Sequence, residues 1–220
     1  MMMPVLLAFG LWAGSGAIKG ITLNVSEVEE MCLSPQVFRS MPNLMFLNFY
    51  KNYNNQVGNK LKLPNGLEFL PNKIRLLGWV GYPLKSLPTT FKVENLVQIE
   101  MNFSKLTKLW DGDQNLVSLK KIELHGPKKL IELPNFSKAK HLAEVNLDYC
   151  SKLRELFEVP DNIGLLSSIR ELHLSETNIE TLPLSTRHLS RLQELYLDRC
   201  KRLRSLPELP PSLPLDTVRQ

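Results

Sequence analysis

Side chains that often do chemistry are sparse in this sequence, and they do not fall into catalytic or metal-binding patterns. The candidates are four histidines and three cysteines: His125, His141, His173, His188, Cys32, Cys150 and Cys200. Zinc sites and metalloproteases place their ligands at short fixed spacings, yet the chain has neither C-x-x-C nor H-E-x-x-H. The nucleophile motif G-x-S-x-G is also absent. We therefore expect no catalytic site, no metal site and no cofactor, and we expect that the protein is not an enzyme.

The composition is that of a folded domain with mixed charge. Of the 220 residues, 43% are hydrophobic, which is too many for a disordered tail. Lysine and arginine total 27 against 22 acidic residues, so the net charge is +5, and no long basic block indicates a nucleic-acid partner. No apolar run reaches 18 residues, so we expect no membrane span. Three cysteines are too few for a disulfide framework.

The elements that carry these residues repeat along the chain. An apolar residue, two others, an apolar residue, one other and a third apolar residue recur seven times. The triplets are Leu44/Leu47/Phe49, Ile74/Leu77/Trp79, Leu96/Ile99/Met101, Leu119/Ile122/Leu124, Leu142/Val145/Leu147, Ile169/Leu172/Leu174 and Leu192/Leu195/Leu197. Most steps between first members fall between 20 and 29 residues, as in leucine-rich repeats. We place insertions after Tyr50 and around 161–164.

The second half of each repeat predicts an extended return path instead of a long helix. A further pair of apolar residues follows each triplet and often ends in proline, as in Leu84/Leu87-Pro88 and Leu130/Leu133-Pro134. Proline cannot donate a ladder hydrogen bond and therefore ends a strand. We predict an α/β solenoid, a leucine-rich-repeat horseshoe with a parallel β-sheet on its concave face and mostly irregular or short helical convex segments.

One position in each repeat is expected to point inward and bond the turn. It lies three residues after each triplet and carries Asn52, Tyr82, Ser104, Pro127, Cys150, Thr177 and Cys200. Buried turns need such partners for their backbone groups. Asn, Ser, Thr and Cys suit this role, whereas Tyr82 and Pro127 do not. We therefore interpret Cys150 and Cys200 as buried structural residues and not as redox or metal groups.

Several motifs in the right order carry a resemblance to a known family. The stretch from Leu77 to Pro88, LGWVGYPLKSLP, resembles a hallmark of the repeat region of plant TIR-NBS-LRR disease resistance proteins. Further similar segments are ENLV at 94–97, SKLTKLWDG at 104–112 and ELPNFSKA at 132–139. Upstream, Ile18 to Leu23 and Phe38 to Leu44 resemble the join between the nucleotide-binding module and the repeats.

The resemblance implies the leucine-rich-repeat region of an intracellular immune receptor. In that family the repeats restrain a nucleotide-binding module and help to recognise effectors. The implied partners are a pathogen effector or a guarded host protein, and the nucleotide-binding and TIR modules of the parent receptor. The chain has no P-loop and no room for a TIR module, so the implied function is recognition and restraint in the cytoplasm, with the nucleus as a second location.

This interpretation divides the chain into four parts. Residues 1–15 are an apolar segment without assignment, and 16–43 are a lead-in element. About seven repeats occupy 44–209, and 210–220 are a truncated proline-rich tail. The apolar start and three N-x-S acceptors leave open an alternative, a secreted leucine-rich-repeat inhibitor or receptor ectodomain. Against it, no basic residue precedes the apolar segment, and the bends here contain L-x-x-L-P.

Residues between the triplet members should face outward from the concave side, since side chains alternate along a strand. From these outward residues and the aromatic residues near them we predict a protein-binding surface. Its members are Phe46, Leu76, Glu100, Phe103, Glu123, Asn146, Tyr149, Glu171, His173, Glu194 and Tyr196. The aromatic members are the better contact candidates because interface anchors are usually aromatic.

Three of the outward residues, Glu144, Glu171 and Glu194, form what we name the acidic strip. Like charges about 5 Å apart repel by roughly 1 kcal/mol per pair in water. We expect Lys120, Arg170 and Arg199 to offset this repulsion. The strip is either a binding surface for a basic partner or a solvated face that follows the common L-x-E-L-x-L pattern.

Overall fold

One ladder of short parallel strands runs through the chain. The computed structural model describes residues 16–51, 60–156 and 166–219. The strands in these ranges are β1 (Gly20–Asn24), β2 (Met31–Cys32), β3 (Phe46–Tyr50), β4 (Leu61–Lys62), β5 (Leu76–Trp79), β6 (Gln98–Glu100), β7 (Lys121–Glu123), β8 (Glu144–Asn146), β9 (Glu171–His173), β10 (Glu194–Tyr196) and β11 (Val218–Arg219). Nine of them form a sheet in the order β1-β3-β5-β6-β7-β8-β9-β10-β11, while β2 pairs with β4. The predicted solenoid with a parallel sheet is confirmed.

The register of the sheet follows the apolar triplets. The middle members align from strand to strand: Leu47, Leu77, Ile99, Ile122, Val145, Leu172 and Leu195. All seven are buried, and the residues on either side of them in β6 to β10 are half-buried. A three-residue strand therefore points one side chain into the core and two outward, because successive side chains alternate between faces.

The sheet gains a strand at each end beyond the seven predicted repeats. At the first end, Ile21 of β1 pairs with Leu47 and Leu23 pairs with Phe49. Ile18, Ile21 and Leu23 have the triplet spacing, although they lie in the predicted lead-in element. At the other end, β11 in the predicted tail pairs with β10 after a 3₁₀-helix at Leu215–Thr217. The predicted boundaries of the four parts stay predictions.

The convex segments contain no α-helix among the described residues and one further 3₁₀-helix, at Leu184–His188. Their leucines still fill the core: Leu106, Leu109, Leu130 and Leu153 are completely buried. These residues belong to the second half of each repeat, where Pro and short spacing oppose a long helix. The core is therefore shared between strands and irregular segments from neighbouring repeats.

The inward position behaves as predicted in three repeats. The Cys150 thiol donates to the carbonyl of Leu124 at 3.2 Å, and the Cys200 thiol donates to the carbonyl of Leu174 at 3.1 Å. The Thr177 hydroxyl donates to the same Leu174 carbonyl at 2.7 Å. Burial raises the pKa of both thiols, which keeps them protonated and able to donate.

Two expectations for the inward position were wrong. Tyr82 fits it: the side chain is fully buried and its hydroxyl donates to the carbonyl of Ser86 at 3.2 Å. Ser104 is buried but its hydroxyl has no hydrogen-bond partner among the described residues. The proposed role of Asn52 and the predicted insertions after Tyr50 and at 161–164 lie outside the described residues.

Trp79 and Tyr82 of the LGWVGYPLKSLP stretch belong to an aromatic cluster in the core. The Trp79 ring meets Phe49 edge-on at 4.7 Å between centroids and Tyr82 at 5.2 Å, and Phe38 lies 6.3 Å away. Edge-to-face packing at these distances is favourable. The two buried rings of this motif therefore fix the packing of the first repeats.

Candidate functional site

The outward side chains of the sheet form three columns. The first column is Phe46, Leu76, Gln98, Lys121, Glu144, Glu171 and Glu194, and the second is Asn48, Gly78, Glu100, Glu123, Asn146, His173 and Tyr196. Both columns align as the triplet spacing predicted. A third column lies two residues further along each coil: Tyr50, Val80, Asn102, His125, Asp148, Ser175 and Asp198. We call the three columns together the concave face.

A row of left-handed residues borders the concave face directly after the third column. Phe103, Tyr149, Glu176 and Arg199 have φ between 55° and 62°, and Gly126 has φ of 81°. This conformation is unusual for residues with a Cβ. It points each amide at the next coil: the N–H groups of Phe103, Gly126 and Tyr149 each donate to a carbonyl there at 2.8 Å. Backbone hydrogen bonds between neighbouring coils thus continue beyond the strand ends, and we call these left-handed residues the corner row.

Two of the predicted contact residues lie in this corner row and not on the strands. Phe103 is 51% exposed and Tyr149 is 43% exposed. The His125 ring lies between them, 5.2 Å from the Phe103 ring and 4.9 Å from the Tyr149 ring. These three rings, the aromatic row, cross three successive coils. His125 is not among the contact residues predicted from the sequence, although its position two residues after the outward-facing Glu123 indicates the same face.

A second pair of rings lies near the last strands. The rings of His173 and Tyr196 stack at 4.2 Å, nearly parallel. The Arg219 guanidinium lies 5.0 Å from the centre of the Tyr196 ring, within the range of cation–π attraction. The other predicted aromatic residue, Phe46, is 46% exposed at the opposite end of the sheet.

The three glutamates of the acidic strip contact Lys121, His173 and Tyr196, and not the basic residues that were predicted. Lys121 donates to Glu144 across neighbouring strands at 2.6 Å. Glu171 lies 3.6 Å from Nε2 of His173, and Glu194 accepts a hydrogen bond from the Tyr196 hydroxyl. Each glutamate of the strip therefore has its own neighbour on the concave face.

The expectation that Lys120, Arg170 and Arg199 offset the repulsion within the acidic strip is wrong. Arg199 pairs with Glu176 at 2.9 Å in the corner row, away from the strip. Lys120 and Arg170 form no ion pair with any residue in the described ranges. Both of them directly precede a strand, where their side chains do not share the face of the acidic strip.

The centre of the concave face holds two carboxyl groups whose pKa is raised, Glu123 and Asp148. Burial, followed by the negative charges of Glu100, Asp148 and Glu144, raises the pKa of Glu123 to about 7 against the opposing effect of Lys121. Burial also raises the pKa of Asp148, although the Ser175 N–H donates to it at 2.7 Å. Two partly desolvated acids thus lie on adjacent coils.

His125 and Asn146 complete the centre of the face. Burial lowers the pKa of His125, so its ring stays neutral and packs as an aromatic group. The Asn146 side-chain oxygen accepts from the N–H of Asp148 at 2.9 Å, which fixes the backbone between the second and third columns. Among the described residues, no group of three or more His, Cys, Asp or Glu side chains is arranged to hold a metal ion.

Short parallel strands that repeat along the chain and share a core of leucines define a class, the leucine-rich-repeat solenoids. A Leucine Rich Repeat family model matches residues 95–114. The chain is also related to plant TIR-NBS-LRR disease resistance proteins, as the sequence motifs indicated.

The relatives come from Arabidopsis thaliana. Disease resistance protein RML1A is 38% identical over 182 residues, which is 80% of this chain and 18% of that protein. Disease resistance protein RPS6 is 38% identical over 72% of this chain and 14% of its own length. Disease resistance protein RRS1 is 36% identical over 79% of this chain and 14% of its own length. The chain thus spans less than a fifth of these relatives.

Solved structures agree on the fold. The chain resembles Listeria monocytogenes InlP with a TM-score of 0.51 at 18% identity, covering 92% of this chain and 60% of that one. It resembles the leucine-rich repeat domain of the type III effector XopL with a TM-score of 0.51 at 18% identity, covering 98% and 80%. In the part of the chain that the structure describes, no helix is long and apolar enough to cross a bilayer.

Proposed function

We propose that this chain acts as the recognition and restraint region of a plant immune receptor. In this role its concave face contacts a pathogen effector or a guarded host protein. The repeats also hold a nucleotide-binding module inactive until that contact is made. The proposed place of action is the cytoplasm, with the nucleus as a second location, as for the receptors that the chain resembles.

The observation that carries the proposal is the outward face itself. The ladder exposes Phe46, Phe103 and Tyr149 on a chain whose relatives are disease resistance proteins. Large exposed rings on a rigid scaffold are typical of protein-binding surfaces, since aromatic residues bury a large area at a small entropic cost. The core does not depend on these side chains, so contact with a partner offers the better reason for their presence.

The proposed contact residues are those selected from the sequence, extended by His125. They are Phe46, Leu76, Glu100, Phe103, Glu123, His125, Asn146, Tyr149, Glu171, His173, Glu194 and Tyr196. We rank Phe46, Phe103 and Tyr149 first because they are both aromatic and strongly exposed. We also infer that the chain has no catalytic activity of its own, which turnover assays with ATP and NAD would test.

A chimera tests restraint. The segment of RML1A that matches this chain is replaced by the corresponding residues, and the chimera is expressed in leaf tissue without any pathogen. We expect no cell death, because the replaced repeats still hold the nucleotide-binding module. Leu147→Ala in the core should release signalling, whereas Val117→Ala on the surface should not. Constitutive cell death with the unmutated chimera, although it accumulates normally, would refute restraint.

A paired substitution tests recognition. Glu171→Ala with Tyr196→Ala removes two side chains of the concave face without touching the buried middle residues. We expect the pair to abolish effector-triggered cell death in a chimera that responds to an effector. The matched control, Glu155→Gln with Val117→Ala, changes exposed residues outside the sheet. An unchanged response in the Glu171/Tyr196 variant would show that recognition uses another surface.

A further inference from the structure

The concave face has two parts of different chemistry. Its first three strands, β1, β3 and β5, present no charged side chain; the outward residues are Gly20, Thr22, Asn24, Phe46, Asn48, Tyr50, Leu76, Gly78 and Val80. Three of these residues, Thr22, Asn24 and Asn48, are polar, whereas Phe46, Tyr50, Leu76 and Val80 supply most of the side-chain surface, so we call this uncharged region the apolar part. The outward residues of β6 to β10 include seven carboxylates and one lysine: Glu100, Glu123, Glu144, Asp148, Glu171, Glu194, Asp198 and Lys121. We call this the acidic part.

The charge of the acidic part is opposite to that of the whole chain. The protein carries a net charge of +5, yet these five strands present a clear excess of carboxylates on one face. The acidic part is therefore a local feature and not a reflection of overall composition. A surface potential of one sign attracts partners of the opposite sign and repels others.

The acidic part also contains groups that bind cations well. The exposed rings of Phe103 and Tyr149 flank His125, which lies two residues after Glu123, and Tyr149 directly follows Asp148. Arginine stacks on aromatic rings and forms paired hydrogen bonds with carboxylates. The Glu123 side-chain carboxylate accepts no hydrogen bond from a donor in the described ranges, because the Lys121 ammonium group donates to Glu144 instead. The charge of Lys121 therefore offsets the desolvation of the Glu123 carboxylate only in part.

We propose that the concave face binds one protein segment that is basic at one end and apolar at the other. The arginines or lysines of the segment lie over β6 to β10, and its apolar residues lie over β1, β3 and β5. Parallel strands are about 4.8 Å apart, so the acidic part spans about 19 Å, or about six extended residues. This inference rests on the proposed function and adds the chemistry of the partner.

Peptide binding to the full 220-residue chain tests the inference. The probe is a fluorescent peptide with a block of about three apolar residues joined to a block of about six residues rich in arginine, lengths set by the strand spacing over three and five strands. We expect fluorescence anisotropy to show saturable binding that weakens at least about tenfold between roughly 0.05 and 0.5 M salt. A peptide with glutamate in place of arginine should not bind. Equal binding of both peptides, or of neither, would overturn the inference.

Variants test whether the acidic part carries the interaction. Glu100→Gln with Glu123→Gln should weaken peptide binding at least about tenfold, because two carboxylates that face the basic block lose their charge. Glu94→Gln with Glu155→Gln removes the same charge from exposed positions outside the concave face and should leave the affinity unchanged. Similar losses in both variants would show non-specific attraction and overturn the inference.

Photo-crosslinking tests the order of the two blocks. A crosslinking group at the basic end of the peptide should attach near Glu171 and Tyr196. The same group at the apolar end should attach near Phe46 and Leu76. The reverse map, or attachment outside the concave face, would overturn the proposed arrangement.

The two proposals fail in different ways. Loss of effector response in the Glu171/Tyr196 chimera, with no binding of the apolar–basic peptide, would leave the proposed function standing and refute the basic partner. Peptide binding at the acidic part without any effect of Glu171 and Tyr196 in leaf tissue would support the surface chemistry and refute its role in recognition.

Discussion

The ring of Phe103 lies directly over the backbone of Gly126 in the next coil. A Cβ atom at Gly126 would be 2.6 Å from Cδ1 and 2.8 Å from Cε1 of Phe103, closer than carbon atoms approach each other. Gly126 therefore serves two needs, a φ of 81° and room for an exposed ring. The aromatic row therefore requires a residue without a Cβ atom at position 126.

The first prediction concerns Gly126→Ala. The left-handed backbone should cost about 1–2 kcal/mol, and displacement of the Phe103 ring should add to the loss. Gly66→Ala is the matched control, because Gly66 has the same φ of 81° and a Cβ atom there would have no neighbour within 4 Å. Urea denaturation should show the larger loss for Gly126→Ala. In a Phe103→Ala background the two glycine variants should become equal; equal losses already in the wild-type background would contradict the steric role of Phe103.

The second prediction contrasts two hydroxyls in the inward position. Ser104→Ala should stabilise the fold or leave it unchanged, with a gain of up to about 1 kcal/mol, because its buried hydroxyl has no partner among the described residues. Thr177→Val should destabilise it by about 1 kcal/mol, because its hydroxyl donates to the Leu174 carbonyl at 2.7 Å. Thermal or urea unfolding measures both. The same sign of change for the two variants would contradict the assigned hydrogen bonds.

The third prediction concerns the core. Leu147 is completely buried in the middle of the ladder, so Leu147→Ala should reduce the free energy of unfolding by about 2–5 kcal/mol. Val117 is 49% exposed, and Val117→Ala should change that free energy by less than about 0.5 kcal/mol. A loss below about 0.5 kcal/mol for Leu147→Ala would mean that the triplets do not carry the core.

The fourth prediction concerns pH. The pKa of Glu123 is about 7 in the folded chain against 4.5 for the ordinary carboxyl group, so the folded state holds this proton more tightly. The resulting stability is complete below about pH 4.5 and is lost as the pH rises through about 7. Glu123→Gln should therefore be nearly neutral at acid pH and stabilising by about 1–2 kcal/mol above neutral pH, since partial solvent exposure reduces the full effect.

The charged groups around Glu123 contribute to its raised pKa. Glu100 and Glu144 on the neighbouring strands and Asp148 just after β8 raise its pKa, while Lys121 on its own strand lowers it. Unfolding of the wild-type chain and of Glu123→Gln is followed by urea titration at several pH values. Glu155→Gln, at an exposed position outside the sheet, is the control and should show no pH-dependent gain. The same difference in unfolding free energy between Glu123→Gln and the wild-type chain at every pH would contradict the raised pKa.

The spacing of leucines was sufficient to predict the sheet register, because each triplet fixes which side chains face the core. It failed at the ends for two different reasons. Ile18, Ile21 and Leu23 have the right spacing but belong to a segment that resembles the join before the repeats. In the last coil, Leu215 and Val218 supply only two members of a triplet, so a pattern of three apolar residues cannot detect β11.

The candidate site was predictable in position but not in its contacts. Alternation along a strand placed Glu123 and His173 outward, since that follows from side-chain geometry alone. The left-handed conformation of Phe103 and Tyr149 was not predictable, because neither residue type favours it and the ladder hydrogen bonds impose it. Ion pairing across coils was also missed, since Lys121 and Glu144 are 23 residues apart in sequence.

Each short strand commits only its middle residue to the interior, and this division has a consequence for how the protein changes over generations. Outward positions on either side of Ile122 or Val145 can be exchanged without disturbing the layer of leucines beneath. New partners can thus be tried one coil at a time while the scaffold keeps its stability. Adaptation of the surface and preservation of the fold are, in this architecture, nearly independent problems.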